Sequence, residues 1–354
     1  MAHRFALRRI PAAAALIIAF TAGCGAPRNE PPASTGTGQP AGPLRVALVL
    51  DVGGVDDKSF NAAAYRGLLQ AEKDLGVQGK FVESHTPADY KTNLTQFASQ
   101  GFSLVFAVGY KMEDALAEVA PQFPEVKFAI VDGNAPTLPN CQAVQFKEEQ
   151  GTFLAGFLAA SDSKTKVIGF VGGEQIPLIR KFEAGYRAGA RTANPQVKVL
   201  TSYTGDWNDI NKGKSQADQE MGNGADIVFQ AAGKAGLGVI EAAREKGPGY
   251  YAIGVDSDQD GVAPGRVLTS ELKRLDTVVL DTIRKLKAGQ FTAGNQVYDL
   301  KAGGVGLTEM KYTKSATSPE TLGRLNKVRE MIVSGKVVPP SSLEAERTFR
   351  PPAL

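Results

Sequence analysis

Three carboxylates, a phenyl ring and a primary amide fall within one short stretch, Asp51-Val52-Gly53-Gly54-Val55-Asp56-Asp57-Lys58-Ser59-Phe60-Asn61. Carboxylates accept hydrogen bonds, an amide both donates and accepts, and a ring offers a flat apolar face. That set suits a small polar ligand with one flat apolar side. Two further runs end in the same acid as Leu48-Val49-Leu50-Asp51: Ala129-Ile130-Val131-Asp132 and Ile253-Gly254-Val255-Asp256. Carboxylates brought together at strand tips accept hydrogen bonds from vicinal hydroxyls, as in sugar recognition. Taken singly, a strand-ending Asp is also a common turn former or helix cap. Trp207 lies among Gly205, Asp206, Asn208 and Asp209 and is the only tryptophan. It is either a ligand wall or a residue packing between lobes. Little else offers chemistry. His85 is the sole histidine after the first few residues, and Cys141 the sole cysteine after Cys24. Zinc hydrolysis and a Ser-His-Asp relay therefore lack their usual groups, and no metal or cofactor is expected.

These residues need elements to position them. The β-branched run 44–50 reads as a buried strand, and Phe60, Ala64, Leu68, Ala71 and Leu75 have the spacing of one helix face. The motif therefore occupies a strand-to-helix loop, where open α/β sheets keep their ligand crevices. Further strands are expected at 103–108, 127–131, 166–171, 197–203, 225–230, 251–255, 266–270 and 296–301. Helices are expected at 59–75, 112–120, 148–161, 179–193, 211–222, 235–246, 276–288 and 319–334. Alternating βα units with continuous apolar strands indicate parallel sheets covered on both faces. So many strands exceed one comfortable core and imply two α/β lobes. The glycine-rich Ala232-Gly233-Lys234-Ala235-Gly236-Leu237-Gly238 departs from a dinucleotide fingerprint and reads as tight strand-to-helix packing.

The N-terminus is a targeting segment. Arg4, Arg8 and Arg9 precede an apolar core over 12–20, and Thr21-Ala22-Gly23-Cys24 resembles a lipobox with Cys24 as the acylated residue. An ordinary secretory leader with an incidental cysteine is the alternative. Residues 24–43, rich in Pro, Gly, Ser and Thr, cannot bury enough surface to order and read as a tether. The chain carries 40 Lys+Arg against 37 Asp+Glu, and residues 1–23 hold three Arg and no acid. The basic excess thus belongs to the leader and gives no case for nucleic-acid binding.

The motif 51–61 closely resembles the signature of the basic membrane lipoproteins, the purine nucleoside receptor family of bacterial ABC importers. Supporting matches are Val108-Gly109-Tyr110, Phe128 to Asp132, Glu149 to Gly156, Gly169 to Gly173, Phe182 to Gly189, Ala231-Ala232-Gly233 and Ile253 to Gln259. The resemblance covers residues 44 to about 335. It implies a type I periplasmic-binding fold, two Rossmann-like lobes with parallel sheets joined by a three-crossover hinge. Lobe 1 would take about 44–146 and 264–295, lobe 2 about 147–263 and 296–338, leaving 339–354 as a tail. By the same resemblance Phe60 stacks on a base, Asn61 reads a base edge, and Asp51 makes a polar contact. Asp132 and Asp256 bind ribose hydroxyls, and Lys273 lies near the ligand. Trp207 and Phe182 compete as the ring opposing Phe60. The implied protein is not an enzyme but a lipid-anchored, extracytoplasmic receptor that hands nucleosides to an ABC permease and its ATPase. A monosaccharide receptor of the same fold, a nucleoside hydrolase using an acidic run such as Asp256-Ser257-Asp258-Gln259-Asp260, and a sensor without a transporter are the rivals.

Overall fold

The apolar run at Arg45–Leu50 forms β1, an inner strand whose neighbours on both sides are parallel. A computed structural model describes residues 42–353, so the leader over 1–23, Cys24 and nearly all of the tether lie outside the described residues. The chain continues through α1 (Phe60–Leu75), β2 (Gln78–Glu83), α2 (Asp89–Ser99), β3 (Leu104–Val108), α3 (Glu113–Val119), β4 (Lys127–Val131) and β5 (Cys141–Phe146). Next come α4 (Glu148–Asp162), β6 (Val167–Gly172), α5 (Pro177–Ala193), β7 (Lys198–Tyr203), α6 (Ile210–Gly222) and β8 (Ile227–Ala231). Then follow α7 (Gly236–Lys246), β9 (Tyr251–Asp256), β10 (Val267–Lys273), α8 (Leu275–Lys287), β11 (Gly294–Tyr298), β12 (Val305–Leu307), α9 (Pro319–Val333) and α10 (Leu343–Thr348).

Two six-stranded sheets result, ordered β11-β5-β4-β3-β1-β2 and β12-β10-β9-β8-β6-β7. The β10–β12 pair is antiparallel, and the other pairs are parallel. Strand alternation buries each sheet on both faces. In β1, Val46, Leu48 and Leu50 enter one core and Ala47 and Val49 the other. The expected α/β architecture of two parallel-sheet lobes is therefore observed.

The chain crosses between lobes after β5, after β10 and between β11 and β12. The segment 264–295 expected in the first lobe contains β10, yet β10 pairs with β9 in the second sheet. Periodicity identifies a strand but says nothing about which sheet accepts its hydrogen bonds. β11 belongs wholly to the first sheet through its pairing with β5. The tail also has a place. Its helix α10 docks on α5, with Glu346 4 % exposed and 2.7 Å from Arg191, while Phe349 meets Phe153 edge-on.

Two features of the second lobe follow from glycine. Helices α4 and α5 pack backbone to backbone. A Cβ at Gly156 would sit 1.9 Å from the Tyr186 carbonyl oxygen, and one at Gly189 1.9 Å from that of Phe153. Gly151 and Gly185 are as tightly filled, by Glu271 and Thr152. In the glycine-rich turn before α7, Gly236 and Gly238 abut Gln230 and the Ile210 carbonyl, which is the close packing expected there.

Gly169 in β6 makes room for a buried acid, since its Cβ would lie 2.1 Å from Glu220 Oε2. Glu220 accepts from Ser202 Oγ at 2.7 Å, and burial pushes its carboxyl up to about 8 from 4.5. The folded chain then holds this proton at pH values where the unfolded chain has released it. Stability should fall as pH rises between those two values. In Glu220→Gln that slope disappears, so the variant's gain in melting temperature over the parent should widen from pH 5 to pH 8. A constant offset would contradict the assignment.

Candidate functional site

The loop after β1 is organised by its own acids. Asp57 takes the backbone N–H groups of Ser59 (2.9 Å), Asn61 (2.8 Å) and Ala62 (3.0 Å), capping α1 from two residues upstream. This cap fixes Phe60 and Asn61 in the first helical turn. Asp51 Oδ1 accepts from Gly53 N at 3.0 Å and from Asn61 Nδ2 at 2.7 Å. Burial raises the Asp51 carboxyl above its ordinary range, although these two donors work against the shift.

The other two strand-tip acids share a backbone device. Asp132 after β4 and Asp256 at the end of β9 have φ of 65° and 62°, the left-handed region. Outside glycine, that region is visited mainly by Asn and Asp and costs about 1 kcal/mol or more. The same strained conformation in both lobes turns both carboxylates toward the space between the sheets. Asp256 Oδ2 accepts from Ser59 Oγ at 2.6 Å.

Between these acids lies Lys273, the last residue of β10 and only 1 % exposed. Its ammonium is hydrogen-bonded to Asp132 and lies 2.9 Å from Glu148, which Lys181 approaches at 2.5 Å. Burial opposes the charge of Lys273, but Asp132, Glu148 and Asp256 more than offset it and hold the ammonium above the ordinary lysine range. Burial drives Asp132 up to about 6 despite Lys273. Glu148 is equally buried, but Lys273 and Lys181 hold it below its usual range. The ammonium also sits 5.4 Å from the Phe60 ring and 5.6 Å from the Phe182 ring, within cation–π reach of both.

The second lobe supplies the apolar wall. Leu178, Ile179 and Phe182 line the cleft from the start of α5. Trp207 follows β7, and its indole fills the space of an absent Cβ at Gly173, 2.4 Å from that position. Phe182 is 3 % exposed and built into the lobe's core, whereas Trp207 is only partly buried.

All eight residues singled out from sequence as ligand contacts, Asp51, Phe60, Asn61, Asp132, Phe182, Trp207, Asp256 and Lys273, line this one cleft. Sequence reasoning passed over several partners. Tyr110 OH donates to Glu174 Oε2 at 2.8 Å, and Lys111 pairs with the same carboxylate, bridging the lobes on one side. On the other side Ser257 Oγ donates to Ser59 O at 2.8 Å, Gln259 Nε2 to Lys58 O at 3.1 Å, and Arg66 to Ser257 Oγ at 2.9 Å. Glu148 and Lys181 were also missed. The Val108-Gly109-Tyr110 motif was the one signal for the first bridge.

The acidic run 256–260 does not converge. Asp258 caps the Asp260 N–H, and Asp260 turns to accept from Lys311 N at 3.0 Å. Among the described residues, no group of three or more His, Cys, Asp or Glu is arranged to hold a metal ion.

Residues 44–338 match the family model described as ABC transporter substrate-binding protein PnrA-like. The chain is 35% identical over 352 residues to the "ABC transporter nucleoside-binding protein BmpA" of Lactococcus lactis, covering 94% of this chain and 98% of that protein. It is 36% identical over 315 residues to a "CD4+ T-cell-stimulating antigen" of Listeria monocytogenes, covering 83% and 87%. A solved ABC-system solute-binding protein from Aeropyrum pernix superposes with a TM-score of 0.78 at 26% identity, over 86% of this chain and 96% of that one.

Proposed function

Since this chain belongs to the PnrA-like substrate-binding proteins of ABC transporters, and is therefore a receptor rather than an enzyme, we propose that its ligand is a nucleoside, with a purine preferred. Proteins of this kind work with a permease and an ATPase. One observation carries the nucleoside reading: two strand-tip carboxylates from different lobes, Asp132 and Asp256, meet beside Lys273 in the same cleft that Phe60 and Trp207 line from opposite lobes. The acids suit the vicinal hydroxyls of a pentose, and the rings suit a flat heterocycle. Stacking on an aromatic contributes about 1–3 kcal/mol per base. Trp207 is the better opponent for Phe60 because Phe182 is committed to the core of the second lobe.

Capture proceeds by lobe closure. A ligand touching both lobes stabilises the arrangement in which Tyr110 and Lys111 reach Glu174 and Ser59 reaches Asp256. Two carboxylates in the cleft repel phosphate, so a nucleoside monophosphate is disfavoured. The small residues Ala22 and Gly23 ahead of Cys24 support an acylated anchor holding the receptor on the extracytoplasmic face of the membrane.

Calorimetry of the purified protein against inosine, guanosine, adenosine, uridine, ribose and inosine monophosphate tests the reading. The nucleosides should bind, ribose weakly and the monophosphate far less than inosine. Ribose binding as tightly as inosine would instead identify a sugar receptor.

The ion pair at the mouth gives a separate expectation. Lys111 and Glu174 are each partly exposed, so salt screens them. Glu174→Gln should weaken ligand binding about 3- to 10-fold at low salt, on the order of 1 kcal/mol, and the difference from the parent should shrink at high salt. An equal deficit at every ionic strength would remove the pair from the closure mechanism.

A further inference from the structure

We propose that Gln259 is a positioning residue for ligand capture: from outside the cleft, its amide fastens the second lobe to the backbone just ahead of Phe60 and so sets how long a bound ligand stays. The inference rests on the nucleoside reading and the lobe closure above, and adds the residue that governs release. The residues lining the cleft include neither Gln259 nor its neighbour Ser257. Gln259 is 1 % exposed and lies in the loop between β9 and β10.

Backbone groups at both ends fix which way this amide points. Gln259 Oε1 accepts the Val255 backbone N–H at 3.0 Å and Gln230 Nε2 at 2.8 Å. Gln230, fully buried in β8, is oriented in turn, because its own Oε1 accepts the Ala232 N–H at 3.1 Å. The backbone N–H of Gln259 donates to Ser270 Oγ at 3.0 Å. Two glycines leave room for this relay. A Cβ at Gly254 would lie 2.6 Å from Gln259 Oε1, and one at Gly236 1.8 Å from Gln230 Oε1. With its oxygen taken twice, the amide has only its NH2 to offer, and that group reaches the Lys58 carbonyl of the first lobe at 3.1 Å.

The receiving side is shaped as well. Lys58 has φ of 56°, the left-handed region that a lysine seldom visits. Beside it the Ser59 carbonyl accepts Ser257 Oγ at 2.8 Å, and Arg66 donates to that hydroxyl at 2.9 Å. The second lobe thus holds the two consecutive carbonyls that precede Phe60. These bonds form only when the lobes meet, and they are the same whatever is enclosed. They therefore slow opening without favouring one ligand over another.

The test is Gln259→Glu, which keeps an acceptor for Val255 and Gln230. Ionised, it has no donor for the Lys58 carbonyl; protonated, its hydroxyl supplies one. The charges on the segments around it are Asp256, Asp258 and Asp260 on its own loop and Asp56, Asp57 and Lys58 on the facing one. Glu271 of β10 points to Gly151 instead, and Gln230 and Ser270 are neutral. Trp207, the only tryptophan, lines the cleft, so stopped-flow fluorescence reads association and release. At pH 8 the variant should release guanosine, inosine and adenosine about 5- to 20-fold faster than the parent, by the same factor for each, with association not slowed. At pH 5 the two proteins should release alike. The melting temperature of each empty protein is the folding control. Unequal factors among the ligands, slowed association with unchanged release, or a difference indifferent to pH would each overturn this proposal while leaving the nucleoside reading intact. Should Gln259→Glu fail to fold, Ser257→Ala deletes the neighbouring bond and should speed release about threefold for every ligand. Unchanged release there overturns the proposal equally. A parent that binds none of the three nucleosides overturns both.

Discussion

Asp256→Asn is expected to weaken nucleoside binding about 10- to 100-fold while leaving the empty protein folded, because it exchanges a charged acceptor for a neutral one and little else. Charge-assisted hydrogen bonds contribute roughly 1.5–3 kcal/mol each, against about half that for neutral ones. Alanine is a poorer probe at this position. Asp256 has φ of 62°, a conformation asparagine tolerates and alanine does not, and its Oδ2 accepts from Ser59 Oγ at 2.6 Å. Asp256→Ala would therefore combine lost binding with backbone strain and the loss of the Ser59 hydrogen bond, lowering the melting temperature of the empty protein as well. With asparagine the two effects separate. Calorimetry should register the loss of affinity, and a thermal melt of the empty protein should stay near the parent. Undiminished affinity would place the pentose elsewhere.

Lys273→Met should be the most destabilising single change in the cleft, at about 3–5 kcal/mol, the usual cost of removing one partner from a buried ion pair. Methionine fills most of the volume, so the loss is electrostatic. Without the ammonium, Asp132 is buried with no cation, and Glu148 retains only Lys181 at 2.5 Å. The sign of the pH dependence follows. Burial already raises Asp132 to about 6 with Lys273 in place. Deprived of it, the folded protein holds that proton to still higher pH, while the unfolded chain releases it near 3.8. The folded state then binds more protons than the unfolded state across that window, and stability falls as pH rises. The deficit against the parent, read from urea midpoints, should be smaller at pH 5 than at pH 8. A pH-independent deficit would mean that packing rather than charge accounts for the loss.

Much of the cleft was legible in sequence because it is local. A strand followed by an acid, a glycine turn, a cap and an aromatic at the first helical turn all lie in one stretch, and their order dictates their geometry. The apolar strands β1, β3, β4, β6, β8 and β9 announced themselves by composition. What was missed has physical reasons of its own. The edge strand β2 is half exposed and carries no apolar run. β5 reads Cys-Gln-Ala-Val-Gln-Phe, and only the fold reveals that Gln142 finds the Thr292 carbonyl at 2.9 Å and so can be buried. The Tyr110–Lys111–Glu174 bridge joins residues more than sixty apart in the chain. No periodicity predicts a pairing of that range. Glu148 looks in sequence like an ordinary acid at a helix N-terminus. Its burial between two lysines comes from the crossing of the chain at that point. The sheet that β10 joins is set by its pairing with β9, which periodicity does not encode.

The meeting of α4 and α5 at Gly156, Gly185 and Gly189 has a consequence for how this receptor can diversify. Each of the three sites lacks room for even one methyl group, because the partner helix's backbone is in the way. A saturation library should therefore return almost no viable alleles there, while the partly exposed Trp207 at the cleft accepts more. New cargo preferences can arise by redecorating the mouth of the molecule. The spine behind it stays frozen.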